Sequence, residues 1–270
     1  MKMIRDPKPR LIAAAPIRDR VVHHAMYNLM SPVFTPSFIF DNYASLPGKG
    51  THRAVLRFQH FMRTFQWVQK LDVMHYFPAI SWDVVLTILG KRIKDGSFLY
   101  VCQRLLESAG YLHGNAAPFP AARDSHRQIT RTGLPIGNLT SQFFGLLYLD
   151  ELDHYIKRTL KIRGYVRYVD DMALFDDDMD RLRECSRMCA TWLEENRGLY
   201  LHPPPAPIRC SVQRTTFLGY ELSRRSRRMK AGSRRRFFRK LERLLDSDGP
   251  ADIKETWRRS LEAHAGLALF

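Results

Sequence analysis

Two adjacent carboxylates, Asp170 and Asp171, lie between apolar runs in the stretch Gly164-Tyr165-Val166-Arg167-Tyr168-Val169-Asp170-Asp171-Met172-Ala173-Leu174-Phe175. Val166 and Tyr168 alternate before the pair, Met172 and Leu174 after it. Period-2 patterning interrupted by an acidic turn predicts a β-hairpin with both carboxylates at its tip. Like charges held side by side repel. A divalent cation relieves that repulsion, and oxygen donors of this kind suit Mg²⁺ or Mn²⁺. Asp-Asp alone is common in ordinary turns. Tyr-Val-Asp-Asp between two strands points instead to a metal site.

Phosphoryl transfer with two metals needs carboxylates from separate elements that converge, the metals being about 4 Å apart. The stretch Val68-Gln69-Lys70-Leu71-Asp72-Val73-Met74-His75-Tyr76-Phe77-Pro78 supplies one: an apolar strand delivers Asp72 and an aromatic pair follows. Asp83 is the rival. It stands in Ser81-Trp82-Asp83, where Ser81 is placed to cap a helix running to about Ile93, so it already has a helix-start role.

The elements around these residues follow from periodicity. Val21, Val22, Ala25, Met26, Leu29, Met30 and Val33 recur at helical spacing and predict a core helix, with His23 and His24 structural. Gly48-Lys49-Gly50-Thr51 lacks the spacing of an NTPase phosphate loop. It reads as a turn before a helix starting near Thr51, with Lys49 and Arg53 near a nucleic-acid backbone. A helix is expected over 98–112, a polar loop over 114–131, and a long helix from about Ser141 to Lys161, ended by Gly164. Gly137, in the loop before that helix, allows close approach of backbone to a template or nucleotide. Asp176-Asp177-Asp178 reads as a solvated turn at a helix N-terminus, and that helix ends at Gly198. A strand over 199–202 is broken by Pro203-Pro204-Pro205.

The chain of 270 residues is 45% apolar and 11% aromatic, enough for a sizeable core and one or two domains. Lys and Arg outnumber Asp and Glu by 43 to 27, a net charge of +16 that favours a polyanionic partner. Ten basic residues and no acidic one fall between Arg224 and Lys240. There Ser233 could cap a helix with Phe237, Phe238, Leu241, Leu244 and Leu245 packed inward, and Arg234, Arg235 and Arg239 facing a phosphate backbone. A further helix is expected over 253–265. The four cysteines form no CxxC pair and read as reduced thiols, as in a cytoplasm. No apolar leader or membrane-length run is present.

Taken together, these motifs resemble those of reverse transcriptases. Tyr168-Val169-Asp170-Asp171 resembles the Tyr-x-Asp-Asp motif. Asp72 to Phe77 resembles the strand-and-turn motif that carries the other metal-binding aspartate. Gly133-Leu134-Pro135-Ile136-Gly137-Asn138-Leu139-Thr140-Ser141-Gln142 resembles the motif preceding the long palm helix. The form Ile-Gly-Asn-x-Thr-Ser-Gln, with Ile136 where many relatives carry Gln, is similar to reverse transcriptases of diversity-generating retroelements. So are Arg-Asp-Arg-Val-Val-His-His and Gly-Lys-Gly-Thr-His-Arg.

The resemblance implies an α+β right-hand polymerase with fingers, an antiparallel palm sheet flanked by helices, and a short helical thumb. Fingers and palm would occupy 1–215, the fingers mainly 1–65 and 88–132; the primer grip and basic thumb would occupy 216–270. Family members carry more fingers sequence ahead of Arg5, which is expected to be lacking here. The implied catalytic residues are Asp72, Asp170 and Asp171, which with the Val73 carbonyl would hold two Mg²⁺. Lys8, Arg10, Tyr76, Phe77, Ile136 and Gly137 would line the dNTP, with Phe77 rejecting a 2′-hydroxyl. Leu218, Gly219 and Tyr220 would form the primer grip. The lysine that assists the leaving pyrophosphate in relatives has no clear counterpart. Implied partners are an RNA template, a DNA or RNA primer, dNTPs and a small basic accessory protein, in a bacterial or phage-encoded cytoplasmic setting. A group II intron-like or phage-defence reverse transcriptase, or a non-catalytic RNA-binding palm scaffold, are the alternatives.

Overall fold

The computed structural model describes residues 2–5, 9–12, 15–110, 131–203 and 205–245. Strands β1 (Lys2–Arg5) and β2 (Pro9–Ile12) pair as a hairpin ahead of α1 (Ile17–Phe34). After α2 (Thr51–Thr64) come β3 (Trp67–Leu71), the short α3 (Tyr76–Ala79), α4 (Trp82–Arg92) and α5 (Gly96–Gly110). Helices α6 (Leu139–Tyr148) and α7 (Asp150–His154) precede β4 (Gly164–Tyr168) and β5 (Asp171–Asp176). Then follow α8 (Met179–Arg197), β6 (Arg209–Cys210), β7 (Thr215–Phe217), β8 (Tyr220–Leu222), β9 (Arg227–Met229) and α9 (Ala231–Leu245).

The central sheet is antiparallel, in the order β4-β5-β3-β6. Alternation along its strands divides the core in two. Leu71, Tyr165, Met172 and Leu174 pack with α1, α4, α6 and α8 on one face. Val68, Val166, Ala173 and Phe175 pack with Phe58, Phe217 and Tyr220 on the other. The helices thus crowd one face, while α2 and the β7-β8 hairpin cover only part of the second.

Several local expectations change. The helix expected over 141–161 breaks at Leu149 and ends in a π-turn over Tyr155–Thr159, where Leu160 N–H reaches back five residues to the Tyr155 carbonyl (3.0 Å). Lys161, not Gly164, takes the left-handed conformation after it (φ 55°). Gly164 opens β4 because a Cβ there would lie 2.6 Å from the Phe175 Cβ. On α1, His23, Met26, Met30 and Phe34 are the buried face, whereas Val21, Val22, Ala25, Leu29 and Val33 are exposed; the apolar count hid which side was core. His23 is structural as expected, bonding Thr140 Oγ1 at 2.7 Å. Ser81 precedes α4 without a capping side-chain bond. Within the acidic run, Asp177 and Asp178 form the exposed turn and helix N-terminus expected, and Asp176 alone of the three is buried. Asp178 caps α8 by accepting from the Asp180 and Arg181 N–H groups, Asp177 accepts from Gln66 N–H, and Asp176 is buried against Arg181. Helix α9 begins at Ala231, two residues before Ser233, and Phe238 is exposed instead of packed inward. The helix expected over 253–265, most of the loop over 114–131, and Lys8 lie outside the described residues.

Candidate active site

The Asp-Asp hairpin forms, shifted by one residue: its tip is Val169-Asp170, and Asp171 already pairs with Tyr168 as the first residue of β5. Register then defines a row across the sheet. Leu71 pairs with Met172, so Asp72, one step on, stands level with Asp171. On the far side of β3, Val73 bridges Leu201 antiparallel and the His202 N–H donates to the Asp72 carbonyl (2.9 Å), so His202 is level with Asp72. Tyr168, Asp171, Asp72 and His202 therefore lie side by side on the face shared with Val68 and Ala173, with Asp170 at the hairpin tip beside them. Direct cross-strand neighbours have Cβ atoms about 5 Å apart, close enough for carboxylates to act together. Asp83 is exposed on α4 against Arg131 (3.4 Å), away from this row.

This donor set suits Mg²⁺ or Mn²⁺: all oxygen, at the rim of a sheet, with Asp72 exposed and Asp170 and Asp171 half-buried. Among the described residues no three acidic, His or Cys side chains converge tightly enough to cage an ion alone. Mg²⁺ is commonly held by one or two carboxylates completed by substrate phosphates and water, so a site of this form matches a phosphate-bearing substrate better than a resident ion.

Beside Asp72 opens a cleft of about 490 Å³ that Lys70, His202, Arg209, Arg214 and Thr216 help to line. Lys70, Arg209 and Arg214 give this cleft a positive lining. The β7-β8 hairpin turns at Leu218-Gly219, both with positive φ (46° and 84°), the type I′ pattern that matches strand twist. Leu218 and Gly219 are accessible at the tip. Tyr220 is buried with Phe217, so it supports the hairpin from beneath.

The turn after Asp72 is tight. His75 is left-handed (φ 46°) and starts α3. Tyr76 is buried, and its hydroxyl donates to the Gly145 carbonyl; burial pushes its pKa well above the ordinary tyrosine value. Only its backbone can therefore serve a nucleotide. Phe77 is half-buried, and its ring would lie 3.4 Å from a Cβ on Gly145, so that glycine makes room for it. The Phe77 carbonyl accepts from Leu134 N–H (2.8 Å), which docks the segment carrying Ile136 and Gly137 (φ 121°) against the Asp72 turn. Arg10 lies in β2 opposite Ile4. Lys49 folds back, its ammonium donating to the Phe40 carbonyl (2.6 Å) and sitting 3.8 Å from the Phe40 ring centroid, while Arg53 is exposed. Arg234, Arg235 and Arg239 are exposed along α9.

One pair escaped the sequence reading. Arg167, in the middle of β4, and Asp153, on α7, form an ion pair with both side chains at 0% exposure. The guanidinium donates to Asp153 at 2.6–2.9 Å, and Tyr165 hydroxyl donates to the same carboxylate (2.7 Å). Burial alone would lower the Arg167 pKa; the adjoining Asp153 carboxylate outweighs it and holds the guanidinium charged. The available signal was an Arg within an apolar strand, at a position alternation assigns to the core.

The fold is an antiparallel sheet with helices crowding one face and a row of carboxylates at its rim. A model of the reverse transcriptase (RNA-dependent DNA polymerase) family matches residues 5–222, and the chain belongs to that family. It is 25% identical over 140 residues, 52% of its length, to the COX1/OXI3 intron 2 protein of Saccharomyces cerevisiae. It is 22% identical over 149 residues, 55% of its length, to the group II intron-encoded protein LtrA of Lactococcus lactis subsp. cremoris. The aligned regions span 15% of the yeast protein and 23% of the lactococcal one. The fold is similar to a telomerase from Candida albicans solved with a fragment of telomeric RNA: TM-score 0.54, 12% identity, covering 91% of this chain and 45% of that one.

Proposed function

We propose that this protein is an RNA-directed DNA polymerase. The observation that carries the reading is the row in which Asp72 and Asp171 stand level on adjacent strands, with Asp170 at the tip beside them. Asp72 and Asp170, with the Val73 carbonyl and support from Asp171, would hold two Mg²⁺ (or Mn²⁺). Such ions lower the pKa of a primer 3′-hydroxyl and steady the departing pyrophosphate. The chain's own residues do the rest. The backbone from Val73 to Phe77 faces the triphosphate, and the Phe77 ring crowds the space of a 2′-hydroxyl. The Leu218-Gly219 turn meets the primer end, and the cations of the cleft and of α9 follow phosphates of primer and RNA template. The fingers would be built mainly from 1–65 and 88–132 and the thumb from 216–270. Among the described residues no helix is long and apolar enough to cross a membrane.

Within this class we favour the diversity-generating retroelement type, a cytoplasmic enzyme working with a small basic accessory protein. Support comes from Ile136-Gly137-Asn138-Leu139-Thr140-Ser141-Gln142. Thr140 is tied to His23, and Gln142 accepts from the Ser45 hydroxyl (3.0 Å), so these positions are used together. At the half-buried Ile136, a side chain without a hydrogen-bonding group forgoes a contact to the sugar or backbone worth about 1 kcal/mol, which would relax checking of the nascent pair. A group II intron-like enzyme is the second reading, favoured by the intron-encoded relatives.

Primer extension on RNA with Mg²⁺ and dNTPs separates these. Asp170→Asn should lower extension by about a thousandfold or more while RNA binding persists, since the amide removes a metal ligand's charge. Product errors clustered at one template base, reduced by Ile136→Gln, support the mutagenic type. An unchanged error spectrum in that variant removes the argument from Ile136, and accurate copying by the wild type favours the intron-like reading. RNA binding with no extension by the wild type would favour a non-catalytic scaffold.

A further inference from the structure

The break in the helix after the Gly137 loop has a structural consequence. The last turn of any helix leaves carbonyls without intrahelical partners. At the end of α6 these are taken one by one: Gly145 by the Tyr76 hydroxyl, Leu146 by Arg167 Nη2 (3.2 Å), Leu147 by the Leu149 N–H, and Tyr148 by Arg197 Nε (2.8 Å). Consecutive carbonyls thus bind the segment that carries Asp72 and the segment that carries Asp170. Arg167 does more than close this helix. Its Nη1 donates to the Val169 carbonyl at 3.1 Å, the peptide group that leads directly into Asp170. Val169 is left-handed (φ 58°), a conformation that β-branched residues rarely adopt and that persists where the surroundings over-determine it.

Apolar residues of similar volume often replace a buried pair without loss of stability. An apolar residue cannot donate to the Val169 carbonyl. A lysine could face Asp153, but it lacks the planar fork that reaches Asp153, Leu146 and Val169 together.

We propose that Arg167 is a positioning residue: anchored by Asp153, it holds the Val169 carbonyl and thereby sets Asp170 against Asp72 for divalent-cation binding. This rests on the reading of Asp170 as a metal-holding carboxylate.

The test uses the full chain and reads Mn²⁺ binding by electron paramagnetic resonance with primer–template and a non-hydrolysable dNTP analogue bound, since the site relies on substrate phosphates to complete the ion's shell, beside thermal unfolding and primer extension. The double variant Arg167→Met/Asp153→Leu is expected to fold, with a lowered unfolding temperature because the Tyr165 hydroxyl and the Leu146 carbonyl lose their partners, and to bind RNA. Its Mn²⁺ affinity should fall about tenfold or more, the range typical when a group orienting a metal ligand is lost. The turnover rate should fall with it, and the KM for dNTP should change far less. A folded double variant with wild-type Mn²⁺ affinity and rate overturns the proposal and makes the pair a packing device. Should the double variant fail to fold, Arg167→Lys decides. Weakened Mn²⁺ binding at an unchanged unfolding temperature supports the proposal, and wild-type binding overturns it. Asp170→Asn is the control: if it leaves Mn²⁺ binding intact, the metal-site reading itself fails, and the proposal with it.

Discussion

The hairpin that carries Asp170 and the hairpin that carries Gly219 both turn in two residues. Each places a residue other than glycine in the left-handed region, Val169 at φ 58° and Leu218 at φ 46°. The first turn has positive φ only at its first central residue, the type II′ pattern in which glycine usually stands; the second has it at both, the type I′ pattern, with Gly219 second. What lies beneath them differs more. The Asp-Asp hairpin belongs to a four-stranded sheet, and the fully buried Arg167–Asp153 pair pins the carbonyl of its strained residue. The grip hairpin belongs to a three-stranded sheet whose ion pair, Glu221–Arg228 at 2.9 Å, is partly solvated, with side chains 28% and 54% exposed. Such surface pairs contribute about 0–1 kcal/mol. The residues that would hold metal are tied by a buried side-chain pair, whereas the turn that would meet a primer end is tied by backbone, the Gly219 carbonyl accepting from the Lys230 N–H (2.9 Å).

Removing one partner of the buried pair should give the largest difference. Arg167→Met leaves Asp153 charged and uncompensated, and is expected to cost about 3–5 kcal/mol. Arg228→Met on the grip should cost less than about 1 kcal/mol. Chemical denaturation checks both, and equal losses would break the contrast.

The same buried network should make stability depend on pH. Burial, reinforced by the neighbouring Asp153 carboxylate, pushes Asp150 up to about 7. Its folded pKa is thus raised above the ordinary value of about 3.9. Between those limits the folded state holds the proton more tightly, so Asp150 favours folding at low pH. That contribution is lost as pH rises through about 7. Asp150→Asn should therefore raise the unfolding temperature more at pH 8 than at pH 5, by on the order of 1–3 kcal/mol of differential stability. A wild-type unfolding temperature that is flat between those pH values would overturn the assignment.

How much of this was legible in the sequence follows from which signals are local. The Asp72 strand and the Asp-Asp hairpin are written in alternation and turn chemistry, and they form within a residue of expectation. What stayed hidden depends on distant partners. The side of α1 that is core is decided by Thr140, more than a hundred residues away. The break at Leu149 needs donors from Tyr76, Arg167 and Arg197. Periodicity through Leu147, Leu152 and Ile156 cannot register a helix whose axis is interrupted while its apolar face continues. Arg167 was visible as a charge within an apolar strand, but Asp153, fourteen positions earlier, looked like an ordinary helical surface residue.

The smallest expected effects are at the tips themselves, and they test the contrast most directly. Replacing Val169 or Leu218 with glycine removes a left-handed penalty of about 1–2 kcal/mol. It adds a chain-entropy cost of about 0.5–1 kcal/mol, so each variant should stay within about 1 kcal/mol of wild-type stability. Function should separate them. Val169→Gly loosens the peptide that leads into Asp170, so its turnover rate should fall several-fold with little change in the KM for primer. Leu218→Gly alters a turn that already tolerates positive φ at both residues and that stands apart from the carboxylates. It should leave turnover near wild type and raise the KM for primer. Steady-state extension with primer and dNTP varied separately reads both parameters. If the two glycine variants change the same parameter by the same factor, the hairpins do not divide the work between a metal site and a primer grip.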